Sequence, residues 1–280
     1  MSMWQTIRLV AKREILSRRR AFRISTSLIL GVVVVGLLAL EVSGVTEDAA
    51  ISREDADEVL AYFGTIVLFA TIIGYGQMTL LGVAEEKSSR VVEVVLGCVE
   101  PHRLLAGKII GIGAFALAQM GALLGTAFVM LTALDTLPLP PATGKTLITI
   151  LGFFLLGYAF YSTVYAAFGA LMTRTENASN AAGPLNLFIS VGYMTAVISL
   201  SNPDNLFARI LSLLPPFTPT VMPMRIAQSR ATIWEVALAI AFLVLAIVWV
   251  NRLAARIYIG GVMRGGAKTT LREAWKAAAL

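Results

Sequence analysis

Residues able to do covalent or metal chemistry are sparse in this chain. Cys98 is its only cysteine and His102 its only histidine, so neither an internal disulfide nor a His-rich metal site can be built from it. No HExxH is present for a metalloprotease, and no histidine stands near an intramembrane serine to activate it. Gly144-Lys145-Thr146 ends like a phosphate-binding loop, but Leu139 occupies the position of the leading glycine. We therefore assign no catalytic residue and no metal ligand, and read the chain as a non-enzyme that does not hydrolyse ATP by that route.

Two other clusters suggest mechanical work. The first is Glu85, Glu86, Lys87, Ser88, Ser89, Arg90 and Glu93, where charges at 86, 90 and 93 share a helical face opposite Val92, Val95 and Leu96, before Pro101 stops the element. Such a mixed-charge helix is either a docking element or a solvated loop. The second runs from Leu213 to Arg225 and contains Pro215, Pro216, Phe217, Pro219 and Pro223. Four prolines do not fit one regular helix. An apolar broken segment at membrane depth is tolerated only against protein or a water-filled cavity, which predicts a re-entrant or gate segment, with an ordinary proline-rich loop as the alternative.

The elements that must position these clusters follow from composition. Hydrophobic residues make up 57% of the chain and charged residues 14%, against about a quarter charged in a soluble domain. Charge-free runs at 24–40, 59–84, 109–134, 146–173, 177–203 and 236–251 predict six transmembrane spans. Their hydrophobicity is continuous rather than alternating, so the fold class is an all-α membrane protein and a barrel is excluded. No small-residue cleavage site ends the first run, which is read as an anchor. The spans carry no ionisable residue near mid-membrane, which argues against an ion-coupled carrier. Their polar residues, Gln77, Gln119, Ser162, Asn186 and Thr195, are the type that joins helices, with Gln77 and Asn186 as candidate span contacts. Glu41, Asp135 and Glu235 sit at span boundaries and are expected to snorkel to the interface. Gly107 to Gly111 and Gly121 to Gly125 have the spacing of closely packed helices.

With the N-terminus inside, 18 of the 23 Lys and Arg residues fall on cytoplasmic segments, so both termini are expected in the cytoplasm. The basic balance requires no nucleic-acid partner. Trp4, Ile7, Ala11 and Ile15 recur at helical spacing beside Arg8, Lys12 and the arginines at 18–20 and 23, the pattern of an interfacial helix on membrane lipid. The expected organisation is an interfacial helix at 1–23, a six-span domain at 24–251 and a basic cytoplasmic tail at 252–280.

The run from Glu85 to Leu96, followed by Leu104-Leu105-Ala106-Gly107-Lys108-Ile109-Ile110-Gly111, resembles the signature region of ABC-2-type permeases, closest to the sodium-efflux, NatB-like branch. Pro216-Phe217-Thr218-Pro219 and Val221-Met222-Pro223-Met224-Arg225-Ile226-Ala227 form a second matching stretch before the last span. Relative to that branch, the loop at 41–58 is short. The resemblance implies a permease that pairs with a second permease copy or a paralogue and with two cytoplasmic ABC ATPase subunits. ATP and Mg would be bound by the ATPases, with no cofactor in this chain. It implies export by alternating access, of sodium, drugs or lipids, and the Ala- and Val-rich composition suggests a bacterial plasma (inner) membrane. The residues at 85–90 and Glu93 would contact the ATPase. The alternative class is a non-transporting membrane scaffold or sensor, which would have no use for a broken membrane segment.

Overall fold

A computed structural model describes residues 5, 7–12, 53–88, 101–133, 143–172, 182–202 and 204–262. The first expected span at 24–40, the arginines at 18–20 and 23, and the tail beyond 262 lie outside the described residues. Among those described, all regular structure is helical: α1 (Arg53–Ser88), α2 (Pro101–Ala133), α3 (Thr143–Leu171), α4 (Gly183–Ser201), α5 (Leu206–Leu213), α6 (Thr218–Ala227) and α7 (Ile233–Val262), with a short helical segment at 7–12. Five of them, α1 to α4 and α7, are long and apolar enough to cross a membrane. They coincide with the last five expected spans. Their apolar residues surround the helix rather than forming a stripe, as lipid on one side and protein on the other require.

The α3 helix is the centre of the bundle, packing most extensively on α1, then on α7, and also touching α6 and α2. Leu68, Ile72 and Leu80 of α1, Ile112 and Met120 of α2, and Phe154, Tyr161 and Tyr165 of α3 form one continuous core. The α1–α3 seam depends on small residues. A Cβ on Gly169 would fall 2.5 Å from the Leu80 carbonyl oxygen, and one on Gly76 would fall 2.3 Å from the Tyr165 ring. Backbones therefore approach as they do wherever small residues line membrane helix contacts. Of the two glycine pairs noted from spacing, Gly107 abuts Val10 and the Ile7 carbonyl, while Gly121 and Gly125 face open space.

The helices alternate in direction. Val83, Leu105, Ala166 and Ala170 meet at one end of the bundle, and Ala61, Ala196 and Met224 meet at the other. Pro101 opens α2, where its missing N–H and fixed φ suit a first helical turn; the end of the element expected before it lies outside the described residues. The element expected at 85–97 begins as the uninterrupted last turn of α1, which runs through Glu85, Glu86, Lys87 and Ser88.

Candidate functional site

At the end of the bundle where α1 passes to α2, Lys108 is buried to 2% exposure. Its ammonium donates to the Gly82 carbonyl at 2.7 Å and pairs with the Glu86 carboxylate at 2.8 Å. A lysine leaves water only when its charge is answered this way. The pair ties the last turn of α1 to the second turn of α2. The 7–12 segment buries Ile7 and Ala11 and rests on Gly107, one residue from that lysine. Glu85, by contrast, is exposed. Of the expected coupling residues, the structure thus places Glu85 and Glu86 on a rigid helix end, carries Lys87 and Ser88 in the same turn, and leaves Ser89, Arg90 and Glu93 outside the described residues.

Mid-bundle, tyrosines join the helices. The Tyr75 hydroxyl of α1 donates to the Gln119 side-chain oxygen of α2, and the Tyr165 hydroxyl of α3 donates to the Asn186 side-chain oxygen of α4. Asn186 and Gln119 therefore cross-link helices, whereas Ser162 and Thr195 bond within their own helices to Ala159 and Val191. Gln77 is half-buried on α1 and takes no part in the tyrosine pairs. The Gln119 amide nitrogen and the Thr65 hydroxyl are buried with no partner among the described residues.

The proline stretch forms a helix–turn–helix whose second helix is buried in the bundle. Asn205 caps α5 by accepting from the Phe207 N–H at 2.9 Å. The chain then turns through Leu214, Pro215, Pro216 and Phe217 into α6, whose residues Thr218 to Arg225 are all buried. Pro219 sits in the first turn, where proline is tolerated, and Pro223 lies in the interior. Lacking an N–H, Pro219 cannot serve the Pro216 carbonyl, and the Thr220 N–H turns to Phe217. The Tyr161 hydroxyl of α3 donates to the Pro216 oxygen instead. Two glycines make room for the break: a Cβ at Gly157 would lie 2.6 Å from Pro219, and one at Gly192 would lie 2.5 Å from the Thr220 hydroxyl. Phe217 reaches Phe188 of α4, ring centroids 6.2 Å apart. The Gln228 amide donates to the Ser199 carbonyl and accepts from its hydroxyl, both at 3.1 Å.

Beyond α6 lies a polar cluster that the sequence reading did not assemble. Ser229 adopts φ 55°, a left-handed helix terminus that brings the Arg230 N–H back to the Arg225 carbonyl at 2.9 Å. Arg225 is buried to 4% exposure. Its guanidinium donates to Ser212 Oγ at 2.8 Å, to the Arg230 carbonyl at 2.9 Å and to Glu235 Oε2 at 3.0 Å. Arg209 of α5 donates to Glu235 Oε1, and Arg230 pairs with Asp204 at 3.1 Å. These side chains, with Asn205, line a cavity of about 210 Å³. Glu235, expected to snorkel to the interface, reaches not open solvent but this cluster. Its carboxylate is buried because two arginines and the start of α7 hold it. The sequence did contain a signal: Thr232-Ile233-Trp234-Glu235 is a capping box, in which Glu235 Oε2 accepts from the Thr232 N–H at 3.2 Å and Thr232 Oγ1 accepts from the Glu235 N–H at 3.4 Å.

Comparison with known proteins gives these features a family. The profile described as ABC-2 family transporter protein matches residues 23–256. The chain is 32% identical to the uncharacterized protein YhaP of Bacillus subtilis over 229 residues, 78% of this chain and 55% of that protein. It is 25% identical to the uncharacterized protein MJ1024 of Methanocaldococcus jannaschii over 244 residues, 87% of this chain and 59% of that protein. The chain thus spans a little over half the length of these curated relatives. No solved structure matches it. With a helical membrane bundle, a proline-broken segment before its last span and this match over most of its length, the chain belongs to the ABC-2 family of transporter proteins.

Proposed function

We propose that the chain is the permease subunit of an ABC exporter in a bacterial plasma membrane, worked by a separate ATPase, with the Glu86–Lys108 end in the cytoplasm. The observation that carries this reading is that end. The α1 helix runs without a break to Ser88 and carries exposed Glu85 in its last turn, while the buried Lys108–Glu86 pair locks it to α2 and the 7–12 segment lies alongside. A force applied there would tilt two spans together, which a floppy loop could not achieve. The α5–α6 break, with its buried helix α6, is the matching element at the far end, suited to opening and closing a path. The substrate class we retain is sodium, a drug or a lipid, and the expected assembly is two permease copies, or a permease and its paralogue, with two ATPases.

The test is co-purification with the ATPase encoded beside the chain, comparing wild type with a Glu85→Lys, Arg90→Glu variant that leaves the buried Glu86 intact. Recovery of the ATPase with wild type and its loss with the variant, at unchanged gel-filtration behaviour, is the expected result. A stable wild-type chain that recruits no ATPase would replace the permease reading with that of a scaffold.

A further inference from the structure

The cavity between α5, α6 and the start of α7 has no part in the coupling scheme. Three arginines, Arg209, Arg225 and Arg230, face two carboxylates, Asp204 and Glu235, so it carries one net positive charge. Its charge is graded by depth. Arg225 is 4% exposed and its Nε has no partner among the described residues, while the Arg209 and Arg230 side chains, 60% and 50% exposed, stand at the rim. A buried guanidinium with an unanswered donor costs free energy that an anionic oxygen would recover.

The apolar surroundings place this cavity at a membrane boundary. Trp234 and Ile233, beside Glu235, are 81% and 89% exposed. Exposed tryptophans at span ends mark the headgroup level. The short helix α5 turns Ala208, Leu211 and Ser212 inward and leaves Leu206, Phe207 and Ile210 exposed, as an amphipathic helix does when it lies in the interface. A volume of about 210 Å³ exceeds what one or two waters fill, at ~30 Å³ each.

We propose that this cavity is a binding site for a singly charged phosphate group at headgroup depth, held by Arg209 and Arg230 at the rim and Arg225 at the buried wall. Arginine forks suit phosphate oxygens better than ammonium groups do. Glu235 holds two of the forks in place through its capping box and keeps the site selective for a single negative charge. This assignment does not depend on the coupling scheme.

The test uses the purified full-length chain, with lipid retention followed by native mass spectrometry. Phosphatidylglycerol, a diacylglycerol lacking phosphate, and inorganic phosphate are titrated separately. Wild type is expected to retain phosphatidylglycerol and not the diacylglycerol. Arg209→Gln with Arg230→Gln reverses the sign of the cavity charge and is expected to weaken retention by about tenfold or more, as loss of a charge-assisted hydrogen bond would. Both side chains are well exposed, so the fold is retained. Arg225→Lys keeps the buried charge but loses the fork that also bonds Ser212 and the Arg230 carbonyl, and is expected to lower the melting temperature as well as retention, so retention is compared well below both melting temperatures. Equal retention of the two lipids, or undiminished phosphatidylglycerol binding in both variants, overturns the site. Stabilisation of wild type by inorganic phosphate without lipid retention overturns the headgroup as the source and leaves free phosphate as the ligand.

Discussion

The Tyr161 hydroxyl on α3 donates to the Pro216 carbonyl in the turn between α5 and α6. Prolines open a backbone acceptor at that point, and a side chain from the central helix closes it. Since Tyr161 is 2% exposed, water cannot readily take its place. Tyr161→Phe is expected to destabilise the protein by about 1–3 kcal/mol, the range for an orphaned buried polar group. Thermal unfolding in detergent measures this, and a melting temperature equal to wild type would show that the bond does not hold the segment.

Glu235 separates two roles that graded substitutions can resolve. Glu235→Ala removes both the capping box and the partner of buried Arg225, with an expected cost of about 3–5 kcal/mol. Glu235→Gln retains the capping geometry, since glutamine serves at that position, and is expected to cost distinctly less. Arg209→Ala removes an exposed partner and is expected to cost about 1 kcal/mol or less. The ranking Ala above Gln above Arg209→Ala, read from chemical unfolding, checks the assignment. Equal losses for the two Glu235 variants would assign the whole effect to charge.

Gly169 and Gly152 lie on the same helix with opposite surroundings. A Cβ at Gly169 meets the Leu80 backbone at 2.5 Å, whereas Gly152 has nothing within 4 Å. Gly169→Ala must push α1 and α3 apart and is expected to cost about 1–3 kcal/mol. Gly152→Ala is expected to be neutral or slightly stabilising. Parallel melting curves decide, and comparable losses at both positions would contradict the close seam.

Thr220 is 1% exposed within the broken segment. In a Cys98→Ser background, Thr220→Cys is expected to react slowly with a membrane-impermeant maleimide in resting cells. The rate should rise when the partner ATPase turns over, if α6 moves as a gate. A rate independent of ATPase turnover would make the segment a fixed plug.

The five described spans were legible because twenty or so uninterrupted apolar residues have one solution in a bilayer. The break at Pro215 and Pro216 was legible because proline removes a donor wherever it stands, although Pro219 and Pro223 are accommodated within α6. What could not be read was which partner takes the place of the lost bond, since Tyr161 precedes Pro216 by 55 residues. Lys108 and Arg225 stood in the sequence as topogenic charges and as members of the two matching stretches, without partners. Their burial depends on Glu86 and Glu235 arriving from neighbouring helices, and a charge tally contains no such pairing. For Glu235 a local clue was present, because Thr232 stands three residues ahead of it.

The α6 helix also constrains how this protein is made. At ten residues it spans roughly 15 Å at 1.5 Å per residue, about half the hydrocarbon thickness. It carries two prolines and a guanidinium, so it cannot partition into lipid from the translocon by itself. Its stability arises only after α3 offers Tyr161 and Gly157, α4 offers Gly192, and α7 delivers Glu235 to Arg225. The last of these reaches the membrane only when α7 has been synthesised. Until then Arg225 lacks its carboxylate partner, and chains truncated before α7 are expected to leave the α5–α6 segment unanchored.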